Sequence, residues 1–254
     1  MGVTPPHPRR SSFPGPGRRR GTGTRTLNAV IDSLSPSARR LLRRPRPRWR
    51  GRLHRWAALA TIPAGVVLVA TADGMRGRLA LAVFFTGAAV MLGTSAVVHA
   101  RDWSAETVET LVRADHTAIF VMFPTSATPV ALLALEPPVS WWLLGLVWGG
   151  ALVGIVAEWT PWHPPAGVMN AIYLGLGWSV LVFVPQMVRA LDAGQLALLF
   201  GGGAAYTGGA LVVGARRPDP APEVFGYHEI WHVCVVVAVA LHAALAVSLA
   251  APAI

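Results

Sequence analysis

Three histidines, an aspartate and a serine stand at spacings suited to holding a divalent metal. His228 and His232 are four residues apart, so on a helix they share one face. Ser95 and His99 repeat that interval, and Asp115 stands at the head of a third apolar stretch. Three imidazoles fill three corners of a tetrahedron around Zn2+ and leave the fourth for water, the pattern of a catalytic zinc. Such a zinc brings the pKa of its water to about 7. Asp115 is then placed to orient that water or take its proton, and Ser95 to hydrogen-bond a ligand or polarise a substrate carbonyl. The string His228-Glu229-Ile230-Trp231-His232 also satisfies the H-E-x-x-H pattern of zinc proteases, in which the glutamate is the general base. No third-ligand motif of those proteases accompanies it.

The remaining polar candidates read differently. His116 follows Asp115 by about 100° of helix and is expected to face elsewhere. His242 lies ten residues past His232, about 15 Å along a helix, too far for the same metal, and is expected to be packed and hydrogen-bonded. His54 and His163 are expected at the membrane interface, and Glu158 takes no role. The single Cys234 reads as a small buried hydrophobe.

These residues need elements to hold them, and the composition says which. The mean hydropathy is +0.49 and only 13% of residues are charged, against about 25% in a soluble domain. Seven apolar stretches cover residues 56–72, 79–99, 115–135, 139–157, 166–187, 195–215 and 224–251, each near the ~20 residues a membrane-crossing helix needs. Helices are the open-chain solution in lipid, because every backbone group must be satisfied internally. The expectation is an all-α, seven-helix polytopic membrane protein. Trp141, Trp142, Trp159 and Trp162 fall at the ends of stretches, as interfacial tryptophans do. Gly201–Gly203 and Gly208-Gly209 suggest close helix packing in the sixth.

Charge sets the orientation. Residues 1–55 hold 15 of the 22 arginines and one acid, Asp32, whereas the remainder holds 7 arginines against 11 acids. A basic stretch rich in Pro and Gly before a first span is a cytoplasmic topology signal with some attraction for anionic lipid. Nucleic acid is not the expected partner. Residues 1–50 read as a disordered basic tail, with a short surface helix over 27–42, and 51–254 as the membrane domain. With the N-terminus inside, the Ser95/His99, Asp115 and His228/His232 groups all fall near the cytoplasmic face, at similar depth.

The same residues carry a family likeness. Arg50-Gly51-Arg52-Leu53-His54, Ser95 with His99, Arg113-Ala114-Asp115-His116, Gly177-Trp178 and Phe225-Gly226-Tyr227-His228 through His232 resemble the hemolysin III family. That family is the bacterial branch of the seven-helix proteins that include the progestin and adiponectin receptors. The likeness covers about residues 45–250. It implies a zinc site near the cytoplasmic leaflet, with His99, His228 and His232 as ligands, Asp115 holding the zinc water and Ser95 beside it. The wider group includes alkaline ceramidases, which implies hydrolysis of a lipid amide, and bacterial members are associated with membrane-lipid homeostasis. The family name reflects a reported cytolytic activity. After Asp115 the chain departs from the family's usual Ile-Ala-Gly-x-Tyr-Thr-Pro: it has Phe123-Pro124-Thr125-Ser126-Ala127-Thr128-Pro129, and Val98 where a tyrosine is usual. The departure leaves the ligands intact and falls on the substrate pocket.

Three functions follow as expectations. One is a zinc-dependent plasma-membrane hydrolase of a lipid amide or ester. Another is a non-enzymatic stress or sensor protein braced by a structural zinc. The third is an intramembrane metalloprotease using Glu229. A secreted pore former is not expected, because no signal peptide is visible and seven long apolar spans describe a resident membrane protein.

Overall fold

The computed structural model describes residues 30–43, 46–161 and 168–251. Residues 30–34 fall in a unit of their own, a helical turn in which the Ser33 hydroxyl donates to the Val30 carbonyl at 2.7 Å. The larger unit starts at Ser35. It opens with a short helix α1 (Pro36–Arg43), followed by α2 (Arg52–Thr71), α3 (Gly74–Val98), α4 (Ala105–Leu133) and α5 (Val139–Trp159). The next span is broken into α6 (Val168–Trp178), a 3-10 turn (Ser179–Phe183) and α7 (Val184–Ala190). Two long helices, α8 (Ala193–Ala215) and α9 (Tyr227–Ala250), complete the bundle. Counting the broken span as one, seven helical stretches among the described residues are long and apolar enough to cross a membrane. The protein is an all-α, multi-pass membrane bundle.

Hydropathy places the spans well but misses where one begins. α4 starts at Ala105, ten residues before the apolar stretch that marks it. Its added turns are polar: Glu109 and Arg113, four residues apart, form an ion pair at 2.9 Å. Because the helix projects beyond the apolar window, Asp115 and His116 lie inside it and not at its head. α4 also runs unbroken through Pro124 and Pro129. The Thr125 and Thr128 hydroxyls turn back onto their own helix, donating to the Val121 and Pro124 carbonyls.

The core is built around α3. Its Leu81, Phe84, Met91 and Leu92 pack with Met122 of α4 and Val235 and Val239 of α9. A second cluster joins Val130 of α4, Leu143 and Val147 of α5, Met187, and Leu245 of α9. Small residues set the closest approaches. A Cβ on Gly87 of α3 would land 2.0 Å from Thr125 Oγ1, so part of the altered 123–129 stretch packs directly on α3. Of the α8 glycines, only some serve packing. Gly202 makes room for His242 and Gly209 for Trp231, while Gly203 and Gly208 have nothing within 4 Å. Trp141 and Trp142 are exposed at the start of α5. Trp159 at its end donates Nε1–H to Thr117 Oγ1 at 2.9 Å. Trp162 and His163 lie outside the described residues.

The chain just before α2 is bound to the bundle. Ser35 N donates to the Glu109 carboxylate at 2.9 Å. Arg48 N donates to the Glu223 carbonyl and Trp49 N to that of Val224, at 3.0 and 3.1 Å. Composition assigned this stretch to the tail, whose residues 1–29 lie outside those described.

Candidate metal centre and its cavity

The three sequence-derived histidines meet at the end of the bundle where α2, α4 and α9 begin and α3 ends. His99 follows the last residue of α3 and still closes its final turn, donating N–H to the Ser95 carbonyl at 3.1 Å. That keeps it one turn from Ser95. The first turn of α9 is tied twice: Tyr227 N donates to Asp219 Oδ1 at 3.0 Å, and Gly226 N to Glu229 Oε2 at 2.9 Å. His228 and His232 then project from one face of that helix.

One ring nitrogen from each of His99, His228 and His232 lies within 4.8 Å of the other two. The Nε2 atoms of His99 and His228 are 3.2 Å apart. Two nitrogens ~2.0–2.1 Å from one tetrahedral zinc are separated by about 3.3 Å, so this pair sits at ligand spacing. His99 and His232 are almost fully buried, and His99 Nδ1 has no hydrogen-bond partner. A set of three imidazoles at this spacing, two of them buried, fits a divalent cation.

Asp115 and Ser95 come from neighbouring helices, α4 and α3. Both face the cavity onto which the histidines open. The structure therefore gathers all five sequence-derived residues around one space.

It also adds residues that sequence reasoning passed over. His54, expected at the interface, is 2% exposed. Its ring stacks on that of His232, with centroids 3.9 Å apart and planes 12° from parallel. The reason is local: residues 46–50 cover this end of the bundle and carry the start of α2 inward. Gly51 makes that turn possible, at φ +74°, with its Cα so near His99 that a Cβ would lie 2.8 Å from the His99 Cβ. Arg46 donates to the His99 carbonyl. His54 falls at the same end as the other clusters, so the topology argument that gathered them would have gathered it too.

Glu229 is fully buried and both its oxygens are engaged, one with Gly226 N and the other with Arg50 Nε at 2.6 Å. It serves as a helix cap and ion-pair partner, an arrangement that leaves the protease reading without its general base. Burying two charges is costly, and removing one partner strands the other, at about 3–5 kcal/mol. Arg50→Met is therefore expected to lower unfolding stability by about that much. Arg50→Met with Glu229→Leu should recover more than half of the loss in a chemical-denaturation or thermal-shift series. Equal loss in the single and double variants would contradict the pairing.

On the far side of the cavity, His116 Nδ1 lies 2.9 Å from Glu158 Oε1. Arg113 Nη1 donates to the Glu158 and Thr160 carbonyls at 2.6 and 2.8 Å. His116 thus faces away from the three histidines, as its helical angle implies, but still lines the same cavity. Glu158, given no role from sequence, is its partner. The cavity measures about 480 Å³. Arg46, Arg50 and the three histidines line it at the end of the bundle where α2, α4 and α9 begin. Its deeper wall is mostly apolar, with Met122, Phe123, Val180 and Leu181 among its residues, and reaches His242. Phe123 and Ser126 bring the altered α4 stretch into that wall. Cys234 is only half-buried and abuts Gly209.

Comparison with known proteins places these features in a family. A family profile described as "Haemolysin-III related" matches residues 42–243. Among curated proteins, the chain is 27% identical to "Hemolysin-3" of Bacillus cereus over 188 residues, covering 72% of this chain and 81% of that one. It is 26% identical to "Hemolysin-3 homolog" of Bacillus subtilis (strain 168) over 182 residues, 70% of this chain and 82% of that one.

Proposed function

Because the chain belongs to the haemolysin III-related family, we propose that it is a zinc-dependent hydrolase of the plasma membrane, cleaving an amide or ester bond of a lipid beside the cytoplasmic leaflet. The observation that carries this reading is the convergence of His99, His228 and His232 on one point at the head of a cavity that also holds Asp115 and Ser95. A purely structural metal needs no carboxylate and no cavity beside it.

The division of labour follows from the geometry. His99, His228 and His232 would hold Zn2+, which when bound polarises a carbonyl and acidifies a water. Asp115 accepts the proton of the attacking water and returns it to the leaving nitrogen or oxygen. Ser95, which lines the same cavity, is placed to hydrogen-bond the substrate carbonyl or the carboxyl group. The apolar part of the cavity takes the acyl chain, while its arginine-bearing end takes the headgroup. With the arginine-rich segment in the cytoplasm, the scissile bond sits near the inner headgroups, where turnover would serve membrane-lipid homeostasis. The test is turnover of long-chain N-acyl amides and phospholipid esters by purified protein. Zinc-loaded wild type that cleaves none of them would sink the hydrolase and leave a structural zinc.

A further inference from the structure

Eight buried side-chain nitrogen and oxygen atoms lack a hydrogen-bond partner among the described residues, and every one except Gln186 Oε1 belongs to a residue lining the single cavity described above. Some of these lie at its head. Two lie deep: the Tyr206 hydroxyl on α8 and His242 Nδ1 on α9. His242 is ten residues past His232 on the same helix, so about 15 Å further into the bilayer. Polar groups stranded at that depth are costly and mark function by default.

The chemistry of the pair is specific. His242 Nε2 lies 3.2 Å from the Leu199 carbonyl. A carbonyl only accepts, so Nε2 carries the proton. In the neutral ring Nδ1 is then a bare acceptor. Gly202 holds this geometry in place, since a Cβ there would lie 2.3 Å from His242 Nε2. The Tyr206 ring stands 5.9 Å from the His242 ring, centroid to centroid, and its hydroxyl is a donor without an acceptor. One unpartnered donor and one unpartnered acceptor therefore stand on adjacent helices, in two residues that line the cavity. The complementary group is a hydroxyl, which accepts from Tyr206 and donates to His242.

We infer that Tyr206 and His242 form a hydroxyl-binding subsite, and that the cavity's preferred ligand is an amphiphile whose acyl chain bears a hydroxyl near its middle. This rests on the reading of the cavity as a lipid site, and not on hydrolysis. The same donor–acceptor pair would also hold an ordered water, and the experiment separates the two.

The probes are ricinoleic acid and oleic acid, identical except for a mid-chain hydroxyl, bound to the purified full-length protein in nanodiscs. Wild type is expected to bind ricinoleic acid roughly tenfold more tightly, the ratio carried by one or two neutral hydrogen bonds. Tyr206→Phe and His242→Phe should each erase most of that preference. Tyr206→Phe removes only the hydroxyl, so it should leave oleic acid affinity and zinc content unchanged, which separates loss of the subsite from loss of the fold. Equal affinity for the two acids in wild type, or a preference that survives both variants, would overturn the assignment and leave the pair as a water site. Failure of every lipid-turnover assay with this preference intact would count against the hydrolase alone.

Discussion

Asp115→Asn is expected to reduce lipid turnover by about 10²–10⁴-fold, the usual contribution of a positioned general base, while leaving zinc content and thermal stability near wild type. The reasoning turns on what the carboxylate touches. The donor set that lies within ligand reach consists of three imidazoles, so exchanging a carboxylate for a carboxamide removes no ligand. Asparagine keeps the volume, so packing between α3 and α4 is preserved. What it loses is the capacity to take a proton. Loss of metal together with activity would place Asp115 among the ligands and revise the site. Unchanged turnover would remove it from the chemistry altogether.

Gly51→Ala is expected to be as damaging as loss of a ligand, although Gly51 touches no metal. Two costs add. The residue sits at φ +74°, where a side chain strains the backbone, and its new Cβ would press on the His99 backbone and Cβ at 2.8–3.0 Å. Neither partner is the free end of a flexible side chain. The matched control is Gly74, also at positive φ (+65°) but with nothing within 4 Å. Gly74→Ala should therefore lose only the backbone term, about 1–2 kcal/mol. Gly51→Ala should lose clearly more, and should lower zinc affinity by displacing His99. If the two variants behave alike in thermal shift and metal titration, the contact between Gly51 and His99 does not shape the site.

Much of this molecule is legible in the sequence for reasons that are physical. Seven spans follow from hydropathy because lipid admits few alternatives to the helix. Alternating span direction then brings residues near 99, 115 and 228 to one end without any contact being known. Other features are not written in that code. Residues 46–50 look like tail, rich in Arg and Pro, because their attachment runs through backbone bonds to Glu223 and Val224, which composition does not encode. The start of α4 at Ala105 is hidden because its first turns are polar. Glu229 sits in a zinc-protease pattern, yet its place three residues after Gly226 makes it a helix cap, a reading that the H-E-x-x-H string masks. His54 looks interfacial because arginines surround it, although span direction puts it at the same end as the other histidines, where it packs against His232.

The most direct measurement is metal content by mass spectrometry of the purified protein, wild type beside His228→Ala, with folding checked by thermal unfolding. Wild type is expected to carry about one zinc per chain, matching a single three-imidazole centre with an open fourth position, and His228→Ala less than about a tenth of that, since two ligands do not retain it. Folded wild-type protein that holds no zinc after purification without chelators, and takes none up on titration, would contradict the metal centre and the function built on it.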